Sequence, residues 1–111
     1  MDERILMEGI CNPLSKRGFA TKNGRGILTN KRFIFCKHSI AKVLAIGALV
    51  NLTEGEYEYD ILAENVVSAE TKRHMLGKAL FITTRDGVTR GYGITKSEHW
   101  NIALGNFTKN K

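Results

Sequence analysis

The sequence predicts a mainly β domain of about seven antiparallel strands, followed by one C-terminal helix. Two turn signals lie between apolar segments: Asn30 within the segment 26–35, and the pair Asp86-Gly87. Both are typical of β-hairpin turns, because asparagine and glycine tolerate the left-handed backbone that tight turns require. After Thr95 the apolar spacing changes from two residues to three and four, which indicates an amphipathic helix.

The strands are predicted where β-branched and aromatic residues run together or alternate with polar ones between turn residues. Ile27 and Phe33 supply this bulk around the first hairpin, whereas Tyr59 and Ile61 alternate with acidic residues. A chain of 111 residues is long enough for one domain with a modest core. We therefore expect a β meander in a single domain, residues 1–111, with extended segments at 5–11, 19–22, 26–29, 32–37, 57–62, 65–72, 79–84 and 88–94.

The C-terminal helix is predicted from a capping pattern and an apolar stripe. Thr95 can accept a hydrogen bond from a free main-chain amide, and Glu98 can reach back to the cap, as in a capping box. Gly105 weakens this helix by about 1 kcal/mol relative to alanine, so packing has to offset that cost. One face is expected to pack against the sheet. The apolar stripe on that face consists of Trp100, Ala103, Leu104 and Phe107.

Residues 40–52 form an apolar run in which only Lys42 and Asn51 are polar. Ser39 is a suitable N-cap, so the run is predicted to be a helix that is apolar nearly all the way round. Such a helix is expected to be buried on more than one side. Three interpretations remain open: a core helix, a dimer interface, or an amphipathic anchor in a membrane interface. The residues predicted to form this interaction surface are Ile40, Val43, Leu44, Ile46, Leu49 and Val50.

The net charge of +6 is concentrated in the N-terminal third, where residues 1–38 carry a charge of +5. An acidic stretch at residues 54–64 contains no lysine or arginine, so the charges are expected to form a strong dipole. An anionic lipid surface gains roughly 1 kcal/mol for each lysine or arginine close to it. The simpler alternative is a solvated face that keeps the domain in solution. The candidate lipid- or anion-binding residues are Lys16, Arg17, Lys22, Arg25, Lys31 and Arg32.

The sequence contains no pattern that indicates catalysis or a metal site. His38, His74 and His99 lie far apart, and no two of them have the spacing that places metal ligands on one helix face. The closely spaced glycines at 24–26 and 91–93 are predicted to open or interrupt strands, whereas phosphate-binding loops precede helices. We therefore expect a protein that is not an enzyme and that uses no metal, cofactor or small-molecule substrate.

Nucleic acid is not an expected partner, because the large aromatic residues fall at predicted core positions and leave no stacking platform. Cys11 and Cys36 lie among apolar residues, and we expect buried thiols rather than a disulfide. Asp2 and Glu3 occupy positions where a secretory leader carries positive charge, and no apolar run approaches the ~20 residues that span a bilayer. A cytoplasmic location is expected. The aromatic residues assigned to the core are Phe33, Phe35, Phe81 and Trp100.

The segment 26–35, Gly-Ile-Leu-Thr-Asn-Lys-Arg-Phe-Ile-Phe, resembles the "lTNkRliF" hairpin of GRAM domains and related bacterial pleckstrin-homology-like domains. These domains are half-barrels of strands closed by a C-terminal helix, and the predicted order of elements is similar over nearly the full length. The apolar run at 40–52 departs from the family pattern, in which many members have a short loop between the third and fourth strands.

The resemblance implies a non-catalytic binding or scaffolding module. The first expectation is a module for protein–protein interaction or self-association through residues 40–52. The alternative is a peripheral membrane module at the inner face of the membrane, because related domains hold lipid phosphates with basic residues of the first strands. The spaced basic motif of those lipid-binding domains is absent from this sequence.

Overall fold

The structure is a computed structural model that describes residues 3–15, 24–36, 58–75 and 77–109. The predicted strand at 19–22 and the predicted apolar helix at 40–52 lie outside these ranges. Within them the chain forms seven strands, a short 3₁₀ helix and one α-helix. The elements are β1 (Ile5–Pro13), β2 (Arg25–Thr29), β3 (Arg32–Cys36), β4 (Tyr59–Leu62), the 3₁₀ helix (Ala63–Asn65), β5 (Val66–His74), β6 (Gly77–Thr84), β7 (Thr89–Ile94) and α1 (Ser97–Lys109).

All seven strands belong to one open antiparallel sheet with the order β4-β3-β2-β1-β7-β6-β5. β1 joins the two halves of this sheet, because residues 5–10 pair with β2 and residues 11–13 pair with β7. β4 and β5 are consecutive along the chain but lie at opposite edges, and the 3₁₀ helix connects them. The predicted class, about seven antiparallel strands followed by a C-terminal helix, is confirmed.

The first predicted hairpin is present, but its turn differs from the prediction. Thr29 makes the turn, because its hydroxyl accepts hydrogen bonds from the amides of Lys31 (3.1 Å) and Arg32 (3.0 Å). Asn30 is not in the left-handed region, since the described residues other than glycine with positive φ are Met75 and Lys96. Instead, Asn30 exchanges hydrogen bonds with the main chain of Arg4 and holds the start of β1 against the turn.

The hydrophobic core lies between the sheet and α1. The ring of Phe33 packs against Tyr92 and Trp100, with centroid distances of 5.2 and 6.5 Å. α1 packs on β1, β2 and β5, so it covers both halves of the sheet. The predicted apolar stripe is confirmed, because Trp100, Ala103, Leu104 and Phe107 are all buried.

The helix begins one residue later than a cap at Thr95 would place it. The carbonyl of Lys96 accepts hydrogen bonds from the amides of His99 (3.0 Å) and Trp100 (3.2 Å), so Lys96 occupies the cap position. Its φ of 54° lies in the left-handed region, which costs a residue other than glycine roughly 1–2 kcal/mol. The predicted capping box at Thr95 and Glu98 is therefore wrong, because Lys96 makes the turn from β7 into the helix.

The assignment of Phe81 to the core is also wrong. Leu80 and Ile82 are buried in the core, so the intervening residue points to the outer face of the sheet. There the Phe81 ring lies against Gly91 of β7, where a Cβ atom would come within 2.8 Å of the ring. His74 packs edge-on against the same ring at a centroid distance of 5.7 Å. Half-burial of Phe81 thus depends on a glycine in the neighbouring strand.

Both cysteines are buried free thiols, as expected. Burial raises the pKa of Cys36 to about 11, and burial also raises the pKa of Cys11 well above its ordinary value. Both thiols therefore stay protonated at neutral pH. In the part of the chain that the structure describes, α1 is too short and too polar to cross a membrane.

Candidate functional site

The structure places three of the six predicted anion-binding residues, and it does not bring them together. Arg25 begins β2, whereas Lys31 and Arg32 lie at the turn at the other end of the β2–β3 hairpin. Thr29, the last residue of β2, is four residues from Arg25, which corresponds to roughly 13 Å along the strand. The other three, Lys16, Arg17 and Lys22, lie outside the described residues.

Arg32 forms ion pairs that connect three segments of the chain. Its Nε atom lies 2.7 Å from Glu3 Oε2, and its Nη1 atom lies 2.8 Å from Asp60 Oδ2. The side chains of Arg32 and Glu3 are each only 15% exposed, so this pair is better shielded from salt than a surface pair. Glu3 Oε2 also accepts a hydrogen bond from the hydroxyl of Thr29. Arg32 therefore has a structural role in which it links β3 to β4 and to the residues just before β1.

Arg25 is paired as well. Its Nε atom lies 2.5 Å from Glu8 Oε1 on β1. This hydrogen bond raises the pKa of Arg25 above its ordinary value. Lys31, by contrast, is exposed at the β2–β3 turn. Two of the three described candidates thus have their charge compensated inside the protein.

The predicted interaction surface at 40–52 lies outside the described residues. It comprises Ile40, Val43, Leu44, Ile46, Leu49 and Val50, and its role stays a prediction.

A cleft of about 480 Å³ lies where the edge strand β4 approaches the β6–β7 turn. We call it the seam cleft. One wall is β4 with the end of the 3₁₀ helix, and the other is formed by the β6–β7 turn and the first part of β7. Its size is within the usual range for a ligand site. The lining residues are Asp60, Ile61, Leu62, Asn65, Thr84, Arg85, Asp86 and Arg90.

The β4 wall presents main-chain hydrogen-bonding groups. The amide of Ala63 donates to the carbonyl of Lys31 at 2.8 Å, which continues the β3–β4 pairing. Hydrogen-bonded and non-hydrogen-bonded pairs alternate along an antiparallel ladder. The N–H and C=O of Asp60 and the N–H of Leu62 therefore point away from β3, toward the open edge. No other described strand pairs with β4 at this edge.

The opposite wall carries two guanidinium groups. Arg85 is held in place because its Nε donates to the carbonyl of Glu64 at 2.6 Å and its amide donates to Asn65 at 2.9 Å. Arg90 lies with its Cζ atom 5.9 Å from the centroid of the Tyr59 ring, a cation–π contact. Neither arginine forms an ion pair with any residue that the structure describes. Both can therefore accept an anionic group from outside.

The two carboxylates of the cleft already have partners. Asp60 is paired with Arg32. Asp86 accepts hydrogen bonds from the hydroxyl of Thr84 and from the amide of Val88, the latter at 3.1 Å. The Thr84 hydrogen bond, followed by that from Val88, lowers the pKa of Asp86 below its ordinary value. Asp86 stabilises the β6–β7 turn and Asp60 holds Arg32 in place. Arg85 and Arg90 keep hydrogen-bond donors that a ligand can use.

Next to the cleft, the hydroxyls of Tyr59 and Tyr92 lie 2.5 Å apart. Burial raises the pKa of both phenols, most strongly at Tyr92, so both stay neutral at physiological pH. Among the described residues, no group of three or more His, Cys, Asp or Glu side chains could hold a metal ion. The groups that the seam cleft offers are those of recognition: main-chain amides, arginines and exposed apolar surface.

Arg85, Arg90 and Asn65 were not among the residues predicted from the sequence. The sequence does show arginines on both sides of Asp86-Gly87, and a Glu64-Asn65 pair after an apolar strand. No sequence signal connects the two segments, because they meet where β5 pairs with β6 and Val66 lies opposite Thr84.

No protein-family model matches this chain, and no curated protein matches it either. The fold and the seam cleft are therefore the observations on which a proposal about function rests.

Proposed function

We propose that this chain is a non-catalytic binding module of the pleckstrin-homology-like, GRAM-related kind, and that it acts by holding a protein partner. Seven antiparallel strands followed by one packed helix support the fold assignment. The observation that carries the function is the seam cleft, where the outer edge of β4 faces Arg85 and Arg90. An open strand edge is a surface on which protein partners dock.

Binding fits the described residues better than catalysis does. Nucleophiles need an exposed, activated group, whereas Cys11 and Cys36 are buried and stay protonated. Asp86 is held by two hydrogen bonds in its own turn, which suits a structural role rather than proton transfer. The arginines are positioned to attract an anion rather than to take part in bond breaking.

Self-association through residues 40–52 is one form of this function and can be tested directly. Leu44→Glu and Leu49→Glu are expected to shift the protein toward the monomer, because a charge in an apolar interface has to be desolvated without a partner. The mass is measured by light scattering over a range of protein concentrations at low and high salt. Association through apolar contacts should survive high salt.

Val67→Glu is the matched control, since Val67 is an apolar side chain that is 59% exposed on β5. This substitution should leave the mass unchanged. A monomer at every concentration of the unsubstituted chain would exclude self-association and leave binding to a different protein as the form of the function.

Attachment to an anionic membrane is a second candidate, and one specific observation favours it. Met75 is 56% exposed at the tip of the β5–β6 hairpin. Arg73 and Lys78 flank this tip as cross-strand partners and form no ion pair with any described residue. An exposed apolar side chain between basic residues is a common form of membrane contact. Lys31, which is exposed at the β2–β3 turn, would add a second basic contact.

The expected result for this candidate is co-sedimentation with anionic vesicles at low salt that falls steeply as salt is raised. The double variants Lys16→Glu/Arg17→Glu and Arg73→Glu/Lys78→Glu should each reduce the bound fraction severalfold, because each reverses two charges near the surface. Neutral vesicles serve as the control. Equal binding to neutral and anionic vesicles, or none to either at low salt, would remove this candidate.

A further inference from the structure

We propose that the seam cleft binds an extended acidic protein segment, which adds as a further strand to the outer edge of β4. This inference rests on the proposed function and specifies the partner's chemistry. It assigns a ligand class to Arg85, Arg90 and the open main chain of β4, none of which has another role in the described structure beyond the contacts already given.

The main chain of β4 supplies the first part of the recognition. An added strand needs a donor and an acceptor on the same residue, followed by a further donor two residues away. Asp60 offers its N–H and C=O, and Leu62 offers its N–H, all on the side away from β3. β4 is only four residues long, so the main chain supplies few hydrogen bonds. Affinity then has to come from side chains as well.

Charge supplies the second part. With Asp60 paired to Arg32 and Asp86 held in its turn, the anionic groups of the cleft are engaged. Arg85 and Arg90 face the same space with unused donors. A carboxylate placed there gains charge-assisted hydrogen bonds, and a lysine or arginine would be repelled. The partner segment is therefore expected to carry Asp or Glu.

Apolar surface supplies the third part. Leu62 lines the cleft and is 42% exposed, whereas the side chain of its neighbour Ile61 is buried in the core. Side chains of a strand alternate between its two faces, so a bound strand can present acidic residues to the arginines and apolar residues to this surface. A segment in which Glu alternates with Val has the required pattern.

The test uses the full chain and a short fluorescein-labelled peptide in which Glu alternates with Val. Binding is followed by fluorescence anisotropy at low and moderate salt. The same peptide with Lys in place of Glu tests charge, and a main-chain N-methylated form tests strand addition. Amide chemical shifts of Asp60 and Leu62, measured by NMR during the titration, report whether the β4 edge is the site.

The Glu–Val peptide is expected to bind and to shift both amides. The Lys–Val peptide should bind roughly tenfold more weakly because it loses the charge-assisted hydrogen bonds to the arginines, and the N-methylated peptide should be weakened by a similar factor because it loses main-chain hydrogen bonds to β4. Arg85→Glu and Arg90→Gln should each weaken binding of the Glu–Val peptide by roughly tenfold. Lys72→Glu is the matched control, because it alters the net charge as much as Arg85→Glu does, and its side chain is 59% exposed on β5 outside the seam cleft.

Four results would overturn the inference. Equal weakening by Lys72→Glu and Arg85→Glu would show that the effect comes from net charge alone. Equal binding of the N-methylated peptide, or full competition by free glutamate, would indicate a site for a small anion rather than for a strand. No binding of any peptide would exclude strand addition at β4. Self-association through residues 40–52, the other form of the proposed binding function, is tested separately by light scattering, so failure of strand addition at β4 does not decide it.

Discussion

Replacing Trp100 with alanine is expected to lower the free energy of unfolding by about 3 kcal/mol. The side chain is fully buried, and it contacts Phe33 and the glycine position at residue 9 of β1. Removing it leaves a cavity between α1 and the sheet, and such truncations cost about 3–5 kcal/mol. The lower end applies because the indole N–H is buried without a hydrogen-bond partner in the described structure, and its removal relieves about 1–3 kcal/mol.

The measurement is chemical denaturation followed by circular dichroism, because the substitution removes the tryptophan fluorescence. Ile102→Ala is the control on the same helix, since Ile102 is 69% exposed and should change the stability little. A Trp100→Ala variant as stable as the unsubstituted chain would contradict the packing of α1 across both halves of the sheet.

Gly26→Ala is expected to cost about 2–3 kcal/mol, although alanine is ordinarily the better residue in a strand. A Cβ atom at Gly26 would lie 2.5 Å from Cys11 Sγ and 2.8 Å from the ring of Phe33. Neither neighbour can yield at low cost, because both are completely buried. The sheet must therefore shift where β1 and β2 pair, and overpacking of this kind destabilises a core.

Gly93→Ala is the matched control for this substitution. The nearest atom to its added Cβ would be the carbonyl oxygen of Asn12, at an ordinary contact distance of 3.7 Å. Thermal unfolding of the two variants should show a clear loss for Gly26→Ala and a change near zero for Gly93→Ala. Equal unfolding midpoints would mean that Cys11 and Phe33 pack around Gly26 less tightly than the structure indicates.

Local patterns predicted the secondary structure well where one residue type decides it. The β2–β3 hairpin and the Asp86-Gly87 turn are present because turn residues there are followed by strong strand formers. Predictions that depended on a neighbour were less accurate. Asn30 and Thr95 were assigned roles that Thr29 and Lys96 perform, since the chain's path into the next element decides which residue makes the turn.

The candidate site shows a similar division. Arg25 and Arg32 were predicted from charge alone, yet Glu8, Glu3 and Asp60 compensate them across strand pairs that charge counting does not reveal. Arg85 and Arg90 lie on either side of the Asp86-Gly87 turn, and the sequence does not indicate which residues they face. Only the position of β4 opposite the β6–β7 turn makes them a candidate site.

The sequence by itself determined the class of this protein, its two clearest hairpins and the apolar face of its C-terminal helix, because residue spacing and turn chemistry act over a few positions. Tertiary structure decided which face Phe81 takes, which arginines are neutralised and where an edge strand meets unpaired charge. Those features depend on residues distant in the chain, brought together when β1 pairs with both β2 and β7.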